Sequence, residues 1–185
     1  MRLIPKRLYL FFSHFGKDVH VDPSCMIAPK ASLHVFPPGA GSIKIGRNFW
    51  MEDHAKLVTH YGNIRIGENC SLNDFSIIRG EVTIGNGVRI GPHCSIIAAG
   101  HNFDRIDIPI YMQGAQRKPI RIEDDVWIGA GSCIIGGVII GKGCVLGAGS
   151  IVTQSIPPYS IAFGNPARVT KKRGDEKVSQ ADSPH

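Results

Sequence analysis

His101 is the side chain in this sequence that is best placed to act as a base. It ends a stretch in which an aliphatic residue recurs every sixth position (the marker positions), directly before a long segment that breaks this spacing. Its ring can therefore face a groove instead of a core. An imidazole titrates near neutral pH and can remove a proton from a hydroxyl as that hydroxyl attacks an acyl carbon. A single histidine is also compatible with a structural role, so His101 is a candidate on position alone.

Three further features have positions that suggest ligand binding. Trp127 precedes a marker, at a position where small or polar residues are usual, so we predict that its indole points outward, where it needs a partner. Asn73 follows a marker at a place that glycine often occupies, and its amide could bind a ligand or only suit a tight corner. A basic cluster near the C-terminus could bind a phosphate or belong to a solvated tail. The cluster consists of Arg168, Lys171, Lys172 and Arg173.

The five cysteines do not form a metal-binding or disulfide pattern. No two of them have the C-x-x-C spacing of a structural zinc site. Cys133 follows a small-residue position of the repeat, and the other four occupy such positions themselves. These four are Cys25, Cys70, Cys94 and Cys144. We therefore predict core thiols in a reducing compartment, and no required metal.

The markers continue through most of the chain and define the predicted fold. Eighteen apolar markers form six triplets: Val21, Ile27, Leu33; Ile45, Met51, Leu57; Ile66, Leu72, Ile78; Ile84, Ile90, Ile96; Ile122, Ile128, Ile134; and Ile140, Leu146, Val152. A six-residue period fits neither a helix of 3.6 residues per turn nor a long alternating strand. It fits short faces joined by tight corners, so that three hexapeptides complete a triangular coil and coils stack about 4.8 Å apart.

The prediction is an all-β, single-domain parallel β-helix of about six triangular coils over residues 21–169. The alternative, a β-sandwich with glycine-rich turns, would have irregular strand spacing of about 8–12 residues. Two short insertions lengthen early coils, and a loop over residues 101–121 leaves the structure between the fourth and fifth coils. Long loops that leave a regular solenoid often carry function. This loop could close over a ligand or pack against a neighbouring subunit.

The net charge of +6 is concentrated at the two ends of the chain. Residues 1–20 contribute +3, residues 21–167 contribute +1 and residues 168–185 contribute +2. This distribution leaves no basic stripe along the body and argues against nucleic-acid binding. Residues 1–20 are predicted to form a short basic amphipathic helix that caps the coils, packs on another subunit or touches the inner membrane, being too short to span it. Residues 170–185 are predicted to form a basic and then disordered tail.

Several longer motifs lie between residues 100 and 169. They are Gly100-His101-Asn102, Asp125-Val126-Trp127-Ile128-Gly129-Ala130-Gly131, Ile140-Gly141-Lys142-Gly143, Gly147-Ala148-Gly149-Ser150-Ile151-Val152-Thr153, Ile156-Pro157-Pro158 and Gly164-Asn165-Pro166-Ala167-Arg168-Val169. On these residues the chain resembles the hexapeptide-repeat O-acetyltransferases of the galactoside, maltose and Nod-factor type. The resemblance implies a left-handed coil, a homotrimer, and acetyl-CoA bound in a groove between adjacent subunits. The basic N-terminus and compact size look more like the branch that acetylates surface-polysaccharide precursors.

The resemblance also implies roles for single residues. His101 becomes the general base and Asn73 contacts the acceptor sugar. The residues that match the coenzyme groove of the family are Trp127, Ala130, Ala148, Thr153, Arg168 and Lys171. In the family, the indole packs beside the pantetheine and thioester, and the amide of the alanine after Ile-Gly donates a hydrogen bond to them. The C-terminal basic residues contact the nucleotide end of the coenzyme and its phosphates.

The predicted function is therefore acetyl-CoA-dependent O-acetyl transfer to a sugar hydroxyl in the cytoplasm, in surface-polysaccharide biosynthesis. Direct attack needs no covalent enzyme intermediate if both substrates are held together. An N-acetyltransferase acting on an amino sugar or antibiotic is the alternative, because an amine acceptor also needs a base. A metal-dependent hydratase on a similar coil would need a histidine five residues after His101, where Ile106 stands. A non-catalytic trimeric scaffold would lose nothing on replacement of His101.

Overall fold

The computed structural model describes residues 18–175, which wind into six stacked coils. The first two coils contain β1 (Val19–Val21), β2 (Met26–Ile27), β3 (Ser32–His34), β4 (Ser42–Ile45), β5 (Trp50–Met51) and β6 (Lys56–Val58). The next two contain β7 (Asn63–Ile66), β8 (Ser71–Leu72), β9 (Ile77–Arg79), β10 (Val82–Ile84), β11 (Arg89–Ile90) and β12 (Ser95–Ile97).

An excursion then separates the fourth coil from the fifth. It contains β13 (Ala99–His101), a 3-10 turn (Ile110–Met112) and β14 (Ala115–Arg117). The last two coils contain β15 (Ile120–Ile122), β16 (Trp127–Ile128), β17 (Cys133–Ile135), β18 (Ile139–Ile140), β19 (Val145–Leu146) and β20 (Ile151–Val152). The described chain closes with β21 (Ser160–Gly164) and β22 (Ala167–Lys172).

The strands form three parallel sheets, one on each side of a triangular prism, as the period predicted. Sheet A has the order β1-β4-β7-β10-β15-β18, and sheet C has the order β20-β17-β12-β9-β6-β3. Sheet B runs β2-β5-β8-β11-β16-β19-β21, and β22 adds to its end antiparallel to β21. The fold is the predicted left-handed parallel β-helix. We call the prism edges the B/C edge and the C/A edge after the sheets that meet there.

The core is a column of the marker side chains. Fifteen of the eighteen markers are at most 5 % exposed. Val21, Ile27 and Leu33 are only partly buried, because their coil is the first and has no coil beneath it within the described residues. Cys70, Cys94 and Cys144 are buried as predicted, and all five cysteines are free thiols.

Tight corners explain why glycine recurs in the repeat. At the B/C edge, a Cβ on Gly129 would lie 2.5 Å from the backbone nitrogen of Ala148 in the next coil. Two residues further along, Gly131 has a φ of +69°, which disfavours residues with a Cβ. The equivalent corners of earlier coils hold His54, Phe75 and His93 at φ values of 61°, 58° and 57°. Their rings stack at centroid separations of 4.8 and 5.1 Å.

All three insertions leave the prism at the C/A edge. The first connects β3 to β4, the second connects β6 to β7, and the long excursion connects β12 to β15. In the excursion, β13 and β14 pair as an antiparallel ribbon. The edge that carries His101 is therefore also the edge where the early coils are widened, because each insertion falls between the last marker of one triplet and the first marker of the next.

The ends of the described chain differ from the predicted boundaries. Of the predicted helix over residues 1–20, residues 1–17 lie outside the described residues, and β1 already begins at Val19. At the other end, β22 continues to Lys172, so part of the predicted basic tail belongs to sheet B. Residues 176–185 lie outside the described part. Between residues 18 and 175 there is no helix long and apolar enough to cross a membrane.

Candidate active site

His101 lies on the two-stranded ribbon at the C/A edge. It pairs directly with Ala115, while Ala99 pairs with Arg117. Asn102 fixes the ribbon, since its backbone N–H donates to the Gly114 carbonyl at 3.1 Å and its Nδ2 donates to the Gln113 carbonyl at 2.9 Å. The asparagine of the His-Asn motif therefore holds the backbone and leaves the exposed imidazole free to contact a substrate.

The rest of the excursion is held together by its own polar groups. Gln113 Nε2 donates to the carbonyls of Arg105 and Ile108, and Arg105 forms an ion pair with Asp107. No hydrogen bond joins the ring of His101 to another residue of 18–175, so neither Asp104 nor a backbone carbonyl orients it within one protomer. Large apolar side chains of the excursion are exposed, including Ile106 at 102 % and Tyr111 at 81 %. Such a surface needs a cover in solution.

The thioester side of the predicted site lies on sheet B and at the B/C edge. Trp127 is 58 % exposed on β16, as predicted. Ala130 lies at the following corner, and its N–H has no acceptor among the described residues, so it is available as a donor. Ala148 occupies the equivalent corner position one coil higher, above Ala130 in register, and its backbone lies close to Gly129. These three residues form one continuous strip of surface.

Asn73 lies below this strip at the B/C edge and is partly committed to the fold. Its Nδ2 donates to the carbonyl of Ile90 in the next coil at 2.6 Å. Its φ is not positive, unlike that of Phe75 two residues later. The amide therefore bridges two coils through one N–H, and its oxygen and second N–H remain for an acceptor or a thioester.

The basic cluster divides into two pairs with different surroundings. Lys172 Nζ donates to the Pro158 carbonyl and to Ser160 Oγ, and Arg173 pairs with Asp125 at 2.8 Å. Arg168 and Lys171 have no carboxylate partner within the described range. The cation of each is therefore available to a ligand.

Lys171 continues the outward column of side chains that contains Trp127. In register along sheet B, Trp127 is followed by Val145, then Ile161, then Lys171. Three strand spacings correspond to about 14 Å along the prism. This column suits an extended ligand with an acyl thioester at one end and phosphates at the other.

The predicted residues do not meet within one protomer. His101 and Thr153 lie toward the C/A edge, whereas Trp127, Ala130 and Ala148 lie at the opposite end of sheet C. About six residues of extended chain separate the two edges, which corresponds to roughly 15–20 Å. Thr153 and Ala148, expected to line one groove, therefore do so only if a second copy brings the two edges together.

A cluster at the C/A edge escaped prediction from the sequence. Arg117, from the same face of the ribbon as His101, has its Cζ 4.7 Å from the centroid of the Tyr61 ring. His60 stacks on Phe36 at 5.9 Å and meets Tyr61 edge-on at 5.4 Å. Partial burial, with the nearby charges of Arg79 and Arg117, holds the pKa of His60 below its ordinary value. The available signal was that both short insertions contain aromatic residues.

Comparison with known proteins agrees with this geometry. Residues 63–98 match the family of bacterial transferase hexapeptide repeats, and residues 119–154 match the hexapeptide repeat of succinyl-transferase. A hexapeptide-repeat containing acetyltransferase from Vibrio cholerae is 30% identical, with a TM-score of 0.54 over 81% of this chain and 74% of that one. The chain belongs to the hexapeptide-repeat acetyltransferase family.

Two further proteins that the chain is similar to differ in the chemistry of their acceptors. Galactoside O-acetyltransferase of Escherichia coli is 38% identical over 71% of this chain and 64% of its own length. AntD, an N-acyltransferase from Bacillus cereus, is 27% identical with a TM-score of 0.71, over 84% of this chain and 83% of its own, in a complex with dTDP-4-amino-4,6-dideoxyglucose and coenzyme A. The chain spans 46–64% of the length of the curated relatives that it matches.

Proposed function

We propose that this protein is an acetyl-CoA-dependent O-acetyltransferase that modifies a saccharide hydroxyl, in a homotrimer whose active sites form between subunits. The observation that carries the proposal is the placement of His101 at the C/A edge and of the Trp127–Ala130 strip at the B/C edge, on either side of one sheet. The proposal includes a role in surface-polysaccharide biosynthesis in the cytoplasm, a compartment that suits five free thiols.

Sheet C supports the trimer because its outer surface in the upper coils is apolar. From the fourth coil upward, the outward positions of that surface include Ile97, Cys133, Ile135 and Ile151, whereas Arg79 of the third coil lies below Ile97 at the C/A end of the same face. If three prisms turn sheet C toward a common axis, the C/A edge of each meets the B/C edge of the next. The same arrangement covers the apolar excursion and brings the imidazole of one subunit to the indole of its neighbour.

Each residue then has a defined chemical task. His101 removes the proton of the acceptor hydroxyl as the oxygen attacks the thioester carbonyl, and the imidazolium returns that proton to the departing thiolate. The free N–H of Ala130 stabilises the negative charge that develops on the carbonyl oxygen. Trp127 excludes water from the thioester, while Arg168 and Lys171 bind phosphate groups of the coenzyme. The Oδ1 of Asn73 can accept a hydrogen bond from the acceptor.

N-acetylation of an amino sugar is the second candidate, favoured by the likeness to AntD. Its chemistry uses the same base, so the residues of the site suit both reactions. The two products differ in stability, because alkaline hydroxylamine cleaves an ester and leaves an amide intact. Transfer of acetyl from acetyl-CoA to a panel of sugars and amino sugars, followed by this treatment, decides between them.

Replacement of His101 tests the proposed base. We expect His101→Ala to lower turnover by at least about a hundredfold, with trimers retained on size-exclusion chromatography. His20→Ala, at an exposed histidine of β1 on sheet A, is the matched control and should keep full turnover. Near-full turnover in His101→Ala would leave the protein without its proposed base and favour the scaffold alternative.

A further inference from the structure

The C/A edge carries two guanidinium groups without carboxylate partners. Arg79 is the third residue of β9 on sheet C, and Arg117 is the third residue of β14 on the ribbon. Within residues 18–175, neither lies within 4.0 Å of a carboxylate oxygen; Glu81, the nearest acidic residue in sequence to Arg79, forms no ion pair either. Arg79 pairs in register with Val58, two residues before His60, and the guanidinium of Arg117 lies over the ring of Tyr61, so both cations lie close to one turn of the chain.

The ribbon directs Arg117 and His101 into the same space. In an antiparallel pair, directly opposed residues and those two positions away share one face. Ala99, His101, Ala115 and Arg117 therefore project together. His101 and Arg117 are diagonal neighbours on this face, and such residue pairs lie about 7–8 Å apart, with their Cβ atoms somewhat closer. Arg117 lies over Tyr61, so this face is turned toward the turn that contains His60 and Tyr61.

That turn is built at a cost in backbone energy. His60 and Tyr61 have consecutive φ values of 43° and 64°, a region that residues with bulky side chains rarely enter. Single residues with positive φ also form the B/C corners of earlier coils, whereas two occur in succession at this turn. The turn presents the ring of Tyr61 beneath Arg117, and the ring of Phe36 stacks on His60; the two aromatic residues are 46 % and 53 % exposed. Aromatic faces beside unpaired guanidinium groups suit a sugar ring that carries a phosphate.

We propose that Arg79 and Arg117 bind a phosphate group of the acceptor and that Tyr61 supports its sugar ring, so that the substrate is a phosphate-linked saccharide. This inference rests on the proposed function and specifies its acceptor. With the phosphate held at Arg117, the hydroxyl presented to His101 lies on the far side of the sugar ring. The phosphate can come from a nucleoside diphosphate, a polyprenyl diphosphate or a simple sugar phosphate, which share this chemistry.

The test compares matched acceptors at saturating acetyl-CoA. We would measure kcat/KM for methyl hexosides, the corresponding hexose 1-phosphates, uridine diphosphate hexoses and short-chain polyprenyl diphosphate hexoses. The wild type should prefer a phosphorylated member over its neutral counterpart by about tenfold to a hundredfold. Preference for the uridine or the polyprenyl compounds alone identifies the natural carrier, and equal preference for all three indicates recognition of the phosphate itself.

Variants assign that preference to the two arginines. Arg79→Gln and Arg117→Gln should each reduce the ratio of phosphorylated to neutral kcat/KM by about tenfold. Arg65→Gln, an equal loss of charge on the exposed surface of sheet A, should leave the ratio intact. Thermal unfolding and trimer content of each variant check folding. A rise in KM for acetyl-CoA with an unchanged acceptor ratio would assign the arginines to the coenzyme instead and overturn the inference.

Failure of the inference is distinguishable from failure of the proposed function. His101-dependent acetylation of neutral sugars, with no preference for phosphorylated ones, would overturn only the acceptor assignment. Absence of His101-dependent transfer to every acceptor of the panel would overturn both.

Discussion

Mixing two inactive variants should restore activity if the active site spans two subunits. His101→Ala removes the base at the C/A edge, and Trp127→Ala removes the thioester wall on sheet B. Both side chains are exposed, so neither change disturbs the core. A site within one protomer would have to bridge roughly 15–20 Å of sheet C. A site between subunits takes its histidine from one copy and its tryptophan from the next.

The expected recovery follows from the symmetry of the trimer. We expect about a hundredfold loss in His101→Ala and, for an indole at the centre of a ligand interface, roughly a thirtyfold loss in Trp127→Ala. In randomly mixed trimers, each interface has an independent chance of combining the intact histidine with the intact tryptophan. Roughly a quarter of the sites are then complete, because the contact is heterologous and each site draws on two copies.

The assay is acetyl transfer by co-expressed variants that carry different affinity tags. Tandem purification selects mixed trimers, and mass spectrometry of the intact complex verifies their composition. Each mixed trimer has one complete site of its three, so activity of roughly a third of wild type, far above both parents, is the expected result for the purified mixed trimers. Verified mixed trimers whose activity equals only the average of the two parents would refute the intersubunit site. The placement of His101 and Trp127 at two different edges would then not reflect a site shared between subunits.

Three further predictions address the coenzyme groove, the corners and the thiols. Arg168→Ala and Lys171→Ala should each raise KM for acetyl-CoA about three- to tenfold and flatten its salt dependence; a changed acceptor preference would contradict this assignment. Gly129→Ala should lower the free energy of unfolding by about 3 kcal/mol, because the added Cβ meets rigid backbone. Gly131→Ala has no atom within 4 Å of its added Cβ, so it should lower the free energy of unfolding by only about 1 kcal/mol, for its positive φ. Equal losses of unfolding free energy in denaturant titrations would contradict the corner geometry. Burial raises the pKa of Cys94, so its contribution to stability is complete below the ordinary thiol pKa and is lost as pH rises toward the raised value. The melting temperature should fall less above about pH 8.5 in Cys94→Ala than in the wild type. An equal fall in both proteins would contradict a role of this thiol in the pH dependence of stability.

Much of the candidate site followed from patterns of types and spacing. The exposed position of Trp127 was predictable because the residue directly before a marker points outward, and Trp50 and Ile139 occupy equivalent positions and are also exposed. The position of His101 was predictable because the period ends there. By contrast, Asn73 occupies an expected place but bonds to Ile90, which depends on the distance between two coils. The basic cluster is one continuous feature of the sequence. The contact of Arg173 with Asp125, visible only in the structure, separates a cation that has a carboxylate partner from those that have none.

The sequence by itself determined the prism, because a six-residue apolar period has only one way to bury one side chain per face and repeat. It also determined which residues point inward, as the burial of fifteen markers confirms. Only the tertiary structure decided what the edges hold. Arg117, Tyr61 and Arg79 are far apart in the chain and share no period, and they come together because the insertions of different coils leave from the same edge. Their proximity depends on how the coils stack along the prism axis, and the local pattern of residues does not encode the resulting distances.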